Sequence, residues 1–217
     1  MFIAVEGVIG VGKTSLARLI QPSFNANLLL EVFEENPFLS NFYSDRSRYA
    51  FQTQMFFLLS RYHQQRRNVP EMLGMEKTLI SDYTFDKDAL FARINLQGDE
   101  LEMYNKLHNA LAEKIPVPDL IVYLRATTIT LMHRITLRDR SYERAMERDY
   151  IDSLNHAYDQ YFLEDTENRP PILVIDSSEL DFVHHPDDLK WIDNRIRQRL
   201  ELPPFQIELP IDEKDAK

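Results

Sequence analysis

Residues 7–15 read GVIGVGKTS, and no other stretch limits the possible folds of this chain as tightly. Gly7, four residues, then Gly12, Lys13 and Thr14 give the spacing of a phosphate-binding loop. The preceding run FIAV (Phe2 to Val5) suits a buried parallel strand. After the loop, Thr14 to Ile20 places Leu16, Leu19 and Ile20 on one helical face. Glycine is needed because backbone must pass close to phosphate and adopt positive φ. The amides of Gly7, Val8, Ile9, Gly10, Val11 and Gly12, backed by a helix N-terminus, are expected to form an anion nest for ATP. Lys13 is expected to reach the β- and γ-phosphates, and the Thr14 hydroxyl to ligate Mg²⁺. A glycine-rich turn with a stray lysine is the plain alternative. It leaves four fixed positions between a strand and a helix unexplained.

Further strands are expected at Leu28 to Glu31, Thr78 to Ser81, within Pro118 to Ala126, and at Ile172 to Asp176. Between them lie helical patterns. Residues 36–66 read as mainly helical, with Phe51, Met55, Leu58, Leu59 and Tyr62 on one face. Residues 99–114 align Leu101, Tyr104, Leu107 and Leu111, and a last helix runs from about Pro186 to Leu200. Alternating strands and helices imply an α/β fold of the P-loop NTPase type: a five-stranded parallel sheet flanked by helices. Ligands of such sheets bind beyond the C-terminal strand ends, so Gly7, Glu31 and Asp82 are expected to converge on one cleft. Residues 1–200 are expected to form one domain, followed by an acidic, irregular tail at 201–217.

The net charge of −10 argues against a nucleic-acid polymer, whose backbone needs a broad basic surface. It leaves room for a single triphosphate. With no cysteine there is no disulfide, thiolate metal site or cysteine nucleophile. No apolar run is long enough to span a bilayer, and MFIAVEG does not resemble a signal peptide. No membrane partner and a cytoplasmic location are the expectation.

The loop does not say what receives the phosphate. A GTPase would normally carry DxxG and NKxD segments, and neither is found. TLISD could pass for the apolar strand of a motor ATPase, but the chain's size suits a small kinase better. Residues 134–148, RITLRDRSYERAMER, hold Arg134, Arg138, Arg140, Arg144 and Arg148 within about four helical turns. One reading is a solvated helix with i,i+4 ion pairs. The other is an Arg-rich lid that neutralises the transferring phosphoryl group and excludes water.

Taken in order, VEGVIGVGKT, LLLEVFEENPFLSNFY, YAFQTQMFFLLSR, SDYTFDKDALFA and HRITLRDRSYE resemble the deoxynucleoside kinase family, especially its bacterial branch. The resemblance runs over nearly the whole chain. It implies ATP-dependent phosphorylation of a deoxynucleoside 5′-hydroxyl, with Mg²⁺ and a homodimeric assembly. Glu31 matches the general base, while Glu34 and Glu35 lie close enough to be confused with it. Tyr43 matches the tyrosine near the 3′-hydroxyl, and Glu143 its acidic partner from the lid. Gln54 matches the glutamine on the base edge, Arg61 the arginine beside it, and Asp88 that arginine's partner. Phe51 and Phe91 could stack on a base or simply pack. Asp82 matches the acidic residue acting on Mg²⁺. The chain departs from the family at Tyr83, where relatives carry a phosphate-contacting arginine. That duty would fall to Lys13, Arg138 and Arg140.

A purine substrate is favoured, and Gln54 can also serve cytosine. A nucleoside monophosphate kinase of the thymidylate type is the alternative enzyme, disfavoured by the acidic residues around Glu31. A nucleotide-binding protein without turnover is the alternative from another class. The apolar stripe at 99–114 can face either the core or a second subunit.

Overall fold

The computed structural model describes residues 1–75, 77–164 and 169–204, apart from the Glu34 side chain. The tail expected at 201–217 therefore lies mostly outside the described residues. Among the described residues, five strands form one sheet: β1 (Phe2–Glu6), β2 (Ala26–Leu29), β3 (Thr78–Ser81), β4 (Leu120–Arg125) and β5 (Ile172–Asp176). All pairings are parallel, in the order β2-β3-β1-β4-β5. Every residue of β1 is buried, as a central strand covered on both faces requires.

Among the described residues, eight α-helices accompany the sheet: α1 (Lys13–Ile20), α2 (Leu39–Ser44), α3 (Arg46–Leu73), α4 (Lys87–Asn95), α5 (Gly98–Ala112), α6 (Thr128–Arg138), α7 (Arg148–Leu163) and α8 (Pro186–Arg199). Local chemistry sets several boundaries. Asp45 caps α3 by accepting from the Arg48 amide at 3.3 Å, and Thr127 caps α6 by accepting from the Thr130 amide at 3.1 Å. Pro186 occupies the first turn of α8, where its missing N–H costs nothing. The main core joins the sheet to α1, α6, α7 and α8. A smaller cluster of Phe2, Leu29, Val69, Leu79 and Tyr83 lies under α3.

Three expectations shift. Strand β2 starts earlier than expected and stops at Leu29, because its partner β3 ends at Ser81. Glu31 thus lies beyond the strand, and its amide donates to the Asp82 carboxylate at 2.8 Å instead of to a ladder. Leu59 is 41% exposed, whereas Leu58 and Tyr62 are buried. One residue's rotation about the helix axis separates it from that face. Residues 134–148 are not one helix. Asp139 adopts a left-handed conformation (φ 48°) and ends α6, a short 3₁₀ turn follows at Ser141–Glu143, and α7 opens at Arg148. On α5, Tyr104 is buried, and Leu101, Leu107 and Leu111 pack against the main core. The apolar stripe therefore faces inward.

Candidate active site

The loop between β1 and α1 is built by backbone. Gly7 and Gly12 have φ values of 148° and 104°. A Cβ on Gly7 would lie 2.3 Å from the Leu124 carbonyl oxygen, and one on Gly12 would lie 2.9 Å from the Phe182 ring. Neither position admits a side chain. The Lys13 ammonium lies over the loop, donating to the carbonyls of Gly7 at 2.7 Å and Val8 at 3.1 Å. Burial pulls its pKa down to about 8, with the neighbouring Lys87 ammonium as the next cause. Lys13 and Lys87 thus both line the cavity, with Glu6, Glu31 and Asp82 opposing their repulsion.

Beside the loop is a cavity of about 320 Å³. The Thr14 hydroxyl and the Glu31 amide both donate to Asp82, one to each carboxylate oxygen. Asp82 therefore ties the first turn of α1 to the segment after β2. Glu6, at the end of β1, does the same deeper down. It is fully buried and accepts from the amides of Gly7 at 3.0 Å and Thr84 at 2.6 Å. Burial raises its carboxyl pKa, against the pull of Lys87 and Lys13.

Behind these lies a chain of buried ions. Glu31 Oε1 accepts from Arg61 Nε at 3.1 Å and from its Nη2, while Oε2 accepts from Lys87 Nζ at 2.5 Å. Arg61 Nη1 reaches Asp88, whose side chain is wholly buried. Burial alone would raise the Glu31 carboxyl. Arg61 and then Lys87 overrule it and hold the pKa well below the usual carboxylate range. Gln54 is 2% exposed, lines the cavity, and has an unpartnered Oε1. A buried amide oxygen left in this state is poised for a donor from outside the chain.

The lid segment closes the other side. Arg138 donates to both oxygens of Glu143, at 2.7 Å to each from Nη2. The Arg140 guanidinium lies 4.3 Å from the centre of the Phe33 ring. Tyr43 stacks on Tyr142 with 6.1 Å between ring centroids, and burial pushes its phenol pKa well above 10.0. It stays protonated and able to donate. Arg134 departs from the expected lid role, because its guanidinium donates to the carbonyls of Val11, Ser177 and Leu180. It clamps the loop to the segment after β5. A second cavity of about 720 Å³ opens there, sharing Gly10, Gly12, Ser15 and Arg138 with the first.

The structure thus brings Glu31, Tyr43, Gln54, Arg61, Asp82, Arg138, Arg140 and Glu143 around one cavity with the loop, and sets Asp88 directly behind Arg61. Tyr83 is not among them. It is fully buried in the smaller cluster, with its hydroxyl donating to Gln64 Oε1 at 2.6 Å. Sequence reasoning missed Glu6, Lys87 and Arg134 in these roles. For Glu6 a signal existed: an acid closing an otherwise apolar strand.

A parallel sheet of this order, with a glycine loop between β1 and α1 and a cavity on each side of that loop, has the P-loop NTPase fold. The family model for deoxynucleoside kinase matches residues 3–201, and the chain belongs to that family. It is 34% identical over 199 residues to a deoxyguanosine kinase of Bacillus subtilis, covering 91% of this chain and 96% of that protein. It is 32% identical over 182 residues to a deoxyadenosine kinase of Dictyostelium discoideum, covering 82% and 72% respectively. A solved deoxyadenosine kinase from M. mycoides with bound dATP superposes with a TM-score of 0.79 at 26% identity, over 91% of this chain and all of that one.

Proposed function

We propose that the chain transfers the γ-phosphoryl group of ATP to the 5′-hydroxyl of a purine deoxynucleoside, with cytosine as a possible second base. The observation that carries this reading is the charge of the acceptor floor. Glu31 and Asp88 balance Arg61 and Lys87, so the floor is neutral as a set. A neutral nucleoside fits there without disturbing that balance, whereas a monophosphate would bring up to two further negative charges to it. The likeness to deoxyguanosine and deoxyadenosine kinases supports the purine.

In this reading Gln54 meets the base edge, with Arg61 beside it held by Asp88. Tyr43 and Glu143 address the 3′-hydroxyl. The triphosphate lies on the loop, with Lys13 on the β- and γ-phosphates, and its base enters the second cavity. Glu31 orients the 5′-hydroxyl in line with the γ-phosphorus and receives its proton. Arg138 and Arg140 close over the phosphates and exclude water.

The Thr14 hydroxyl and Asp82 carboxylate, already adjacent, fit a magnesium site completed by the nucleotide's own phosphates. Among the described residues no cluster of three or more metal-ligating side chains offers another. When bound, the ion would neutralise charge on the β- and γ-oxygens. Residues 1–200 would work as one unit in the cytoplasm. Two copies would associate through α3 and α5, where Leu59 and Met103 are exposed.

The test is transfer of labelled γ-phosphate from Mg·ATP to each common deoxynucleoside, with thymidine monophosphate and water as controls. Product on deoxyguanosine or deoxyadenosine is expected. Product on thymidine monophosphate alone, or label only in free phosphate, would overturn the reading.

A further inference from the structure

Lys87 is the first residue of α4. A cation there opposes the helix dipole, and burying an ammonium carries a desolvation cost. Yet its side chain is only 7% exposed. Neither helix stability nor solubility accounts for a lysine in this place. Its ammonium donates to Glu31 Oε2 and lies 6.0 Å from the Phe91 ring centre. Among the described residues Glu31 is its one hydrogen-bond acceptor, so two of its three N–H groups remain for a ligand.

Lys13 and Arg18 belong to α1, on the loop's side of the cavity, and the remaining cations around it are differently engaged. Arg61 is fixed between Glu31 and Asp88 at its two ends. Arg138 is spread over both oxygens of Glu143. Arg140 lies on the Phe33 ring. Position 83 supplies no charge. Lys87 is therefore the cation on the acceptor side that can turn toward the loop by moving only its flexible stem.

Glu31 poses a complementary problem. Both its oxygens already accept hydrogen bonds from cations, and a carboxylate so held is a weak base. Oε2 keeps a lone pair for the acceptor hydroxyl, and it becomes a stronger base once Lys87 withdraws. We propose that Lys87 is a catalytic cation that leaves Glu31 for a γ-phosphoryl oxygen when the donor nucleotide binds, and thereby makes Oε2 of Glu31 a stronger base for the acceptor hydroxyl. Donor binding and base activation become one event. The bond from the acceptor oxygen to phosphorus then forms as the bond from phosphorus to the β,γ-bridging oxygen breaks. The electron pair leaves with the nucleoside diphosphate, the hydroxyl proton passes to Glu31 Oε2, and Lys87 keeps its own protons. The proposal rests on the reading of the site as a 5′-kinase.

The experiment compares full-length wild type with Lys87→Met and Lys87→Arg. It measures affinity for the β,γ-imido analogue of ATP and for ADP, without acceptor, and then single-turnover rates with a deoxynucleoside. Lys87→Met should weaken analogue binding about tenfold and leave ADP binding unchanged, since ADP lacks the γ-phosphate. Its turnover should fall roughly 10²- to 10³-fold, and Lys87→Arg should recover much of both losses. Equal weakening of analogue and ADP, or no change in either alongside lost turnover, would reduce Lys87 to a structural counter-ion of Glu31 and overturn the proposal. Should Lys87→Met fail to fold, Lys87→Gln against Lys87→Arg reads the same ratio. Because the ratio needs no acceptor, it stands or falls separately from wild-type activity on deoxynucleosides.

Discussion

The acceptor floor and the lid use the same chemistry in different surroundings. Each sets arginine against carboxylate. On the floor, the side chains of Arg61, Glu31, Asp88 and Lys87 are between 0% and 13% exposed. In the lid, Arg138 and Arg140 are 34% exposed although their shared partner Glu143 is buried. A buried ion that loses its partner stays in a poor solvent, so its arrangement is held by the cost of breaking it. A half-exposed arginine has water as an alternative, and exchange from carboxylate to phosphate costs little. The floor is suited to fixed geometry and the lid to changing partners. Lys87 lies between them in character, buried like the floor but flexible and singly bonded.

The largest effect is expected at the floor's central carboxylate. Glu31→Gln should lower turnover by about 10²–10⁴ while changing deoxynucleoside affinity far less. Steady-state kinetics with an independent binding titration would check this. If turnover survives, Glu31 is not the base and Asp82 becomes the candidate.

Removing Asp88 tests burial directly. Asp88→Ala leaves the Arg61 charge with one partner in the interior and should cost about 3–5 kcal/mol of stability. Arg138→Ala should cost less in the same urea titration, because Arg138 is half-exposed and buried Glu143 keeps Arg140 at 3.6 Å as a second partner. The order should reverse in a different readout, because Arg138→Ala should cut turnover by roughly 10²-fold or more by exposing the transferring group. Similar stability losses for the two variants would erase the distinction between floor and lid.

The same contrast decides what could be read in the sequence. Thr78–Ser81 and Ile172–Asp176 were legible to the residue as short apolar runs with clear stops, and so was the loop, whose signal lies in consecutive backbone positions. The floor is assembled from α3, α4 and the segment after β2, so nothing local marks it. Arg61 and Asp88 emerged through family resemblance alone, whereas the end of an apolar run placed Glu31 at the cleft and only its role came from the resemblance. Lys87 sits beside Asp88 in FDKDALFA, and a lysine at a helix start reads as solvated. The lid misled in another way. Arginine spacing carried a helical rhythm across Asp139, whose left-handed backbone ends α6. That rhythm also hid the start of α7, although Tyr150, Ile151, Leu154, Tyr158 and Phe162 form its buried face.

Acid should weaken the floor in a predictable direction. The folded pKa of Glu31 lies below its ordinary value of 4.5, so its ion-pair contribution is complete above that value and is lost as pH falls toward the folded value. The stability gap between wild type and Glu31→Gln should be flat from pH 5 to 7 and shrink below about 4.5. Glu6 acts in the opposite sense, since burial raises its pKa. Its contribution is complete at acid pH and fades as pH rises, and it cancels between the two proteins at each pH. Denaturant titrations at several pH values would show the trend. A gap that widens in acid would mean that Arg61 and Lys87 do not hold the Glu31 charge.

The smallest effect is expected where lid geometry is best and burial least. Arg144 donates to both oxygens of Asp139, at 2.7 and 2.8 Å, and their side chains are 65% and 61% exposed. Judged by geometry alone, this pair rivals Arg138 with Glu143. Judged by burial, it is a surface contact whose Coulomb energy is diluted by water and screened by salt. Arg144→Ala should therefore leave the melting temperature unchanged within error at 150 mM salt, and lower turnover less than Arg138→Ala does. Repeating the melt at low ionic strength sharpens the point, since only there should a small loss emerge. If Arg144→Ala destabilised the fold as much as Asp88→Ala, bidentate geometry would outweigh burial. The floor and the lid would then differ in position only, and the ease of partner exchange assigned to the lid would have no physical basis.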